Sequence, residues 1–282
     1  MELIDHFEAS RARLMSLAYR IVGSHHDAED AVQAAWLRAR SADPAQLVNL
    51  DGWLTTVTAR LCLDQLRARH RRGELPLRAD NIPDAHLATD EEFIRRENIS
   101  RALLVVLGEL SPPQRVAYVL HDLFVVPFDQ VASVLDTTTV AAKKLASRAR
   151  IRLRAAGPVD PPRPARQLEV IDAFLDAARG GDIARLVTLL APDVVRTADL
   201  GFLANGAEPV VRGARAVAEE TRAFVDRIAV AVPVLVDGRP GAVVAPGGHP
   251  LALIRISVHD GLVTNITIAP YERRVVSLPA AE

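Results

Sequence analysis

The sequence predicts a multi-domain chain: two all-α domains, the second built round a helix-turn-helix, followed by an α+β domain. Three observations predict it. Apolar residues recur at helical spacing from the N-terminus to about residue 154. Near Asp136 a short amphipathic helix and a longer one are separated by only a few residues. After the proline-rich stretch "GPVDPPRP" (157–164) the pattern changes to helices and then alternating strands with an Asp-Gly turn.

The first domain spans 3–72. Leu14, Leu17, Ala18, Ile21 and Val22 mark one face of its opening helix. Gly23 and Ser24 interrupt that helix, and Ser24 followed by Asp27 resembles a capping box. The next helix sets Ala28, Val32, Ala35 and Trp36 on one side. Pro44 and "NLDG" predict a loop. A third helix starts near Trp53 and runs into the basic cluster "RARHRR" (67–72). Cys62 falls on the apolar period of this helix and reads as core.

Residues 73–90 are polar, contain proline and show no period, so they read as a linker. The second domain spans 91–156. Its first helix is long and ends near Leu110. Ser111 as N-cap and Pro112 at the first helical position start the next one, with Val116, Val119, Leu120 and Leu123 as its apolar positions. Pro127 opens a short helix with Phe128, Val131, Ala132 and Leu135 at i, i+3, i+4 and i+7. A break at 136–139 follows. The second helix of the pair then carries Ala142, Leu145, Ala149 and Leu153 inward. At about 100° per residue these four lie within about 80° of one another. Lys143, Lys144, Ser147, Arg148, Arg150 and Arg154 take most of the remaining circumference.

Residues 157–164 form a second, stiff linker, and 165–282 the third domain. Helices are expected at about 166–180 and 182–190, then short strands, then a helix near 214–228. "AVPVLVDGRPGAVVA" and "LALIRISVHDGLVTNITIA" read as strands, the second turning at Asp260-Gly261 into an antiparallel sheet. "APGGHP" (245–250) reads as a turn, since no helix follows it to cradle a phosphate.

Net charge is −1, from 34 basic and 35 acidic residues, so it points to no partner. The distribution does. Cations gather at 67–72 and 143–154, acids at "DAED" (27–30) and "DEEF" (90–93), which suggests separate faces for separate partners. Thr138, Thr139, Lys143, Lys144 and Ser147 sit at the N-terminal part of the second helix, where side chains reach base edges in a major groove. Arg148, Arg150 and Arg154 are placed for phosphates. Trp53, Thr55, Thr56 and Arg60, beside the first basic cluster, suit backbone contact and unstacked bases. One cysteine excludes an intramolecular disulfide framework. The eight histidines show no metal-ligand spacing, and "GSHHDAED" lacks the strand-turn-helix of a nucleophile elbow. The chain is therefore read as a non-enzyme without metal or cofactor. Asp193, Asp199 and His259 are the residues of the third domain that could line a pocket, but their spacing assigns them no catalysis. No apolar run reaches the roughly 18 residues of a membrane span, and the N-terminus lacks the apolar stretch of a signal peptide. No membrane insertion and a cytoplasmic location are expected.

The motifs resemble, as an ordered set over about 3–154, a bacterial sigma factor of the extracytoplasmic function group. "LAYRIVGSHHDAEDAVQAAWLR" is similar to the region 2 segment that binds the RNA polymerase clamp. "GWLTTVTARLCLDQLRARHRR" is similar to its continuation, which melts and reads the promoter −10 element. "LGELSPPQRVAYVLHDLFVVPFDQVASVL" followed by "AAKKLASRARIRL" resembles region 4, whose second helix reads the −35 element. "VIDAFLDAARGGDIARLVTLLAPDVV" resembles the opening of a SnoaL-like domain, a cystatin-like α+β cone that some members carry at the C-terminus. The resemblance implies core RNA polymerase and promoter DNA as partners. It implies Asp27, Glu29, Asp30 and Gln33 for polymerase binding. For the −10 region it implies Trp53, Arg60, Arg67 and Arg71. For the −35 region it implies Thr138, Thr139, Lys143, Lys144, Ser147 and Arg148, with Arg150 and Arg154 on phosphates. The extension is expected to modulate the sigma factor in place of, or beside, a separate anti-sigma protein, and leaves open a small ligand. The chain departs from the family at Lys143-Lys144, where relatives often carry Arg-Gln. It departs again at "ADLGFLANG" and "APYERRV", where they often carry Asp-Gly-Gly and Asn-Pro-Asp-Lys. Two other readings stay open: a stand-alone helix-turn-helix regulator, and a ligand-sensing or enzymatic domain fused to a DNA-binding module.

Overall fold

A computed structural model describes residues 2–42, 49–74, 78–153, 162–203, 208–272 and 276–278. The chain divides into two compact units. One comprises 1–77, 81–100 and 106–153; the other comprises 78–80, 101–105 and 154–282.

The first unit is helical. α1 (Glu2–Val22) and α2 (His25–Ser41) are joined at Gly23, whose φ of 79° is left-handed. A Cβ there would come within 3.1 Å of the Arg115 guanidinium, so both backbone and space call for glycine. Ser24 caps α2, its hydroxyl accepting from the Asp27 N–H at 3.4 Å. Leu14, Leu17, Ala18, Ile21 and Val22 are all buried, as the period predicts. On α2 the buried stripe is Ala28, Ala31, Val32, Ala35 and Ala39. Trp36, expected on that stripe, lies half-buried at its edge and stacks on Phe7 with centroids 4.7 Å apart. α3 (Leu50–Arg72) begins before Trp53, because the Asn49 side chain accepts from the Gly52 N–H at 3.0 Å and caps it there. Pro44 lies outside the described residues. Cys62 is fully buried on α3, and burial pushes its thiol up to about 12, so it stays protonated and unreactive.

The expected linker and long helix are partly redrawn. α4 (Asp84–Arg96) starts inside 73–90, with the Pro83 carbonyl accepting from the N–H groups of His86 and Leu87. Asn98, at φ 50°, ends that run, and α5 (Arg101–Gly108) is a separate helix. α6 (Pro112–Tyr118) opens on the expected Ser111 N-cap, which Gln114 completes into a capping box. Residues 119–123 then widen into a π-turn. α7 (Phe128–Leu135) and α8 (Thr139–Leu153) form the helix-turn-helix, joined through left-handed Asp136 at φ 52°. The inward stripe of α8 is Ala142, Ala146, Ala149 and Leu153. Ala146 takes the place expected for Leu145, which is half-buried at the flank. Three alanines let α8 lie close against α6, where leucine would hold it off.

The second unit packs helices on a seven-stranded sheet. α9 (Pro162–Arg179) begins within the expected second linker, of which 157–161 lie outside the described residues. α10 (Ile183–Leu189), β1 (Leu190–Ala198), β2 (Val210–Arg212), α11 (Ala214–Thr221) and α12 (Val225–Ala229) follow. β3 (Ala231–Val236), β4 (Arg239–Val244), β5 (Ala252–His259), β6 (Leu262–Pro270) and β7 (Val276–Ser277) complete it. The strand order is β2-β1-β6-β5-β4-β3-β7. The sheet is mixed, because β1 pairs with β6 in parallel while the other neighbours are antiparallel. Asp237-Gly238 and Asp260-Gly261 make the tight turns, with φ of 50° and 77°, and 49° and 78°. Residues 246–248 form a short 3-10 turn. Ile171, Leu175 and Ala178 of α9, Leu186 of α10 and Val217 of α11 pack on Val194, Ile254, Val263 and Ile266 of the sheet. This is the α+β domain expected after the helices.

Candidate nucleic-acid interface

α8 separates the two roles of its residues by face. With the alanine stripe buried, Thr138, Thr139, Lys143, Lys144, Ser147 and Arg148 are all exposed. The Thr138 hydroxyl accepts from the Ala141 N–H at 3.2 Å and caps the helix, which fixes where its reading end begins. The Lys143 ammonium lies 5.8 Å from the centre of the Phe128 ring, and Phe128 stacks on His121 at 3.7 Å. That contact ties Lys143 back to α7, while Lys144 projects freely.

Arg150 is placed differently from the expectation. It makes a two-point ion pair with Asp122, Nε to Oδ1 at 2.5 Å and Nη2 to Oδ2 at 3.2 Å. This hydrogen bonding raises the Arg150 pKa further. Its fork is thus engaged by Asp122 within the domain. Arg154 lies outside the described residues. Arg152, which the sequence reading passed over, is exposed. Stepping by four from Lys144 gives Arg148 and Arg152, one cationic ridge, so the helical period alone was enough to find it. Val140 and Ile151 are exposed apolar residues on the same helix, at 62% and 63%.

The −10 candidates sit on α3. Arg67 and Arg71 are exposed, Arg67 only loosely paired with Asp64 at 3.9 Å. Trp53 is half-buried. Thr55 is buried, donates to the Asp51 carbonyl at 2.6 Å and accepts from Arg13, so it serves packing rather than a duplex. Thr56 donates to the Gly52 carbonyl at 2.8 Å. Arg60 reaches α7, donating to the Ser133 carbonyl at 2.8 Å and its hydroxyl at 3.1 Å.

The acidic helix also divides. Glu29, Asp30 and Gln33 are exposed, with Glu29 3.9 Å from Arg11 and Asp30 3.8 Å from His26. Glu29 and Gln33 line a shallow hollow with Trp36 and Phe7, and Leu37 is exposed on the same helix. Asp27 does not share this surface. It pairs with Arg69, which is 7% exposed and also donates to the Val22 carbonyl at 3.0 Å. Near it Arg115 is buried, its Nε donating to the Arg20 carbonyl at 3.0 Å. Burial, and then the Arg69 cation, push the Arg115 guanidinium down to about 9, still charged at neutral pH. Asp27 and Arg69 therefore join α2 to α3, and Arg115 ties α6 to the end of α1.

Among the described residues, no group of three or more His, Cys, Asp and Glu side chains is placed to hold a metal ion. No helix there is long and apolar enough to cross a membrane. Asp193, Asp199 and His259 are exposed; Asp199 caps the Gly201 N–H at 3.0 Å, and His259 lies 3.4 Å from Asp260.

Residues 6–72 match the Sigma-70 region 2 family, and residues 100–153 match Sigma-70, region 4. The chain is 43% identical to the ECF RNA polymerase sigma factor SigJ of Mycobacterium tuberculosis over 234 residues, 79% of this chain and 73% of that one. It is 34% identical to the probable ECF RNA polymerase sigma factor SigI of the same species over 211 residues, 72% of this chain and 73% of that one. The crystal structure of M. tuberculosis SigJ aligns with 95% of this chain and 96% of its own, at 38% identity and a TM-score of 0.44.

Proposed function

Because the chain belongs to the ECF sigma factors of RNA polymerase, we propose that its two exposed cationic faces divide the promoter between them. The protein directs core RNA polymerase to promoters and initiates transcription, a task of differential binding that needs no covalent chemistry. Thr138, Thr139, Lys143, Lys144 and Ser147 read the −35 element in the major groove, and Arg148 and Arg152 hold its phosphates. Arg67, Arg71, Trp53 and Arg60 meet the −10 element, and Arg60 must leave Ser133 to do so. Glu29, Asp30 and Gln33, beside the hollow at Trp36, meet the polymerase. The observation that carries the reading is the partition of α8: small buried residues on one face, and on the other hydroxyls and cations.

Residues 165–282 act as a regulatory module for the helical unit, in place of or beside a separate anti-sigma factor, with a small ligand as the signal. Lys144→Glu tests the promoter assignment. It should weaken −35 binding and leave polymerase binding intact; loss of both would remove α8 from the −35 role. Deleting 165–282 should change promoter activity, and unchanged activity would give that domain an independent role.

A further inference from the structure

α8 carries an apolar side chain among the hydroxyls and cations of its reading end. Val140 is the second residue of the helix and is 62% exposed. At about 100° per residue it stands about 150° from the centre of the buried Ala142, Ala146, Ala149 and Leu153 stripe, and about 40° from Lys144. It therefore faces outward from the domain, beside Lys144. A β-branched residue there brings the free protein no packing, and its helix propensity is below that of alanine. Its use lies in what the helix meets.

The residues around Val140 offer hydrogen bonds or charge. The Thr138 hydroxyl accepts from the Ala141 N–H at 3.2 Å and caps the helix. The Lys143 ammonium lies 5.8 Å from the centre of the Phe128 ring. Lys144 is a donor, which suits the acceptors of guanine or a phosphate. Val140 has neither donor nor acceptor, so it takes no hydrogen-bonding edge. Set against the amino group of adenine or cytosine, it would strip water from that donor and return nothing. One base feature projects into the major groove as an apolar group, the C5 methyl of thymine. The N-terminal residues of a recognition helix are those that reach base edges. Ile151 is exposed to the same degree, 63%, and shares this face. It lies about 16 Å further along the helix axis, away from the turns that reach base edges.

We propose that Val140 reads one thymine of the −35 element through contact with its C5 methyl group. The inference rests on the reading of α8 as the −35 helix and adds to it the base identity at one position.

The test uses core RNA polymerase carrying the full chain, and measures its affinity for a mapped cognate promoter duplex. Each thymine of the −35 element, on either strand, is replaced in turn by deoxyuridine, which removes the methyl group and keeps the base pair. At one position the replacement should weaken binding about fourfold, the worth of one buried methyl group. Val140→Ser, with its melting temperature held, should weaken binding to the unmodified promoter by a similar factor. It should also abolish the deoxyuridine effect at that position, because the two changes remove the same contact. Ile151→Ser should retain the effect. A −35 element without a methyl-sensitive thymine, or an undiminished deoxyuridine effect in folded Val140→Ser, overturns the inference and leaves α8 as the −35 helix. Loss of the effect in Ile151→Ser as well as Val140→Ser also overturns it. A Lys144→Glu chain that keeps its −35 binding overturns the reading of α8 itself.

Discussion

Replacing Asp27 with alanine should destabilise the helical unit more than it weakens polymerase binding. The family resemblance puts Asp27 with Glu29, Asp30 and Gln33 on a polymerase surface, whereas the fold turns it toward Arg69. In that pair the Arg69 side chain is 9% exposed and Asp27 27%. Removing one partner of a buried pair costs about 3–5 kcal/mol, because a charge is left stranded. Exposed pairs are worth about 0–1 kcal/mol. With one partner buried and the other a quarter exposed, Asp27→Ala should cost about 2–3 kcal/mol. For a domain of this size that lowers Tm by about 4–12 °C. The assay is thermal unfolding by circular dichroism, run beside the affinity for core polymerase, with Asp30→Ala as the comparison. Asp30→Ala should keep its Tm within about 1 °C, since its pair among the described residues is a loose one to exposed His26, and should lose polymerase affinity. Adding Arg69→Met to Asp27→Ala should recover part of the lost stability by removing the orphaned cation. An unchanged Tm for Asp27→Ala, with polymerase affinity lost as in Asp30→Ala, would refute the reasoning.

Three further outcomes follow from the same geometry. Lys144→Ala should reduce the salt slope of promoter binding by about 0.9, whereas Arg150→Ala should leave the slope unchanged and cost about 1 kcal/mol of stability through its pair with Asp122; salt titrations of DNA binding beside melting curves distinguish them. Val125 holds a φ of 56° and is 81% exposed, a strained backbone for a β-branched residue with little packing in return. Val125→Asn should therefore stabilise the protein by about 1 kcal/mol in denaturant titration. Cys62 should resist thiol reagents until the chain unfolds. Because its pKa is raised to about 12 from 9.0, the unfolded thiol ionises first as pH rises. The Cys62 contribution to stability is therefore intact below pH 9 and falls above it by about 1.4 kcal/mol per unit; Arg115, held down to about 9, contributes with the opposite sign over that range, so the loss is read as the difference from a Cys62→Ala chain.

Features set by neighbours in sequence were legible before the fold was known. The Ser111-Pro112 start, the Asp260-Gly261 turn and the buried face of α1 depend on a few adjacent residues, and all appear where expected. Partnerships across sequence were not. Asp27 and Arg69 are 42 positions apart, Arg115 and Arg20 are 95, and Arg196 and Glu220 are 24; no local pattern announces them. Arg150 looked like a phosphate ligand because its own helix is basic, while Asp122, 28 residues away, claims it. Ala146 displaced Leu145 because packing against α6 favours a small apolar side chain over a large one. The parallel pairing of β1 with β6 joins the start of the domain to its end, which strand alternation alone does not specify.

The central claim is that this chain confers promoter choice on core polymerase and has none of its own. Run-off transcription from a mapped cognate promoter, with core enzyme in the presence and absence of the protein, tests it most directly when paired with a footprint of the free protein on the same duplex. The account predicts a defined start site only when the protein is added, and no footprint from the free protein at physiological salt. A tight sequence-specific footprint from the free protein, with core enzyme still failing to initiate, would contradict it and mark an operator-binding regulator instead.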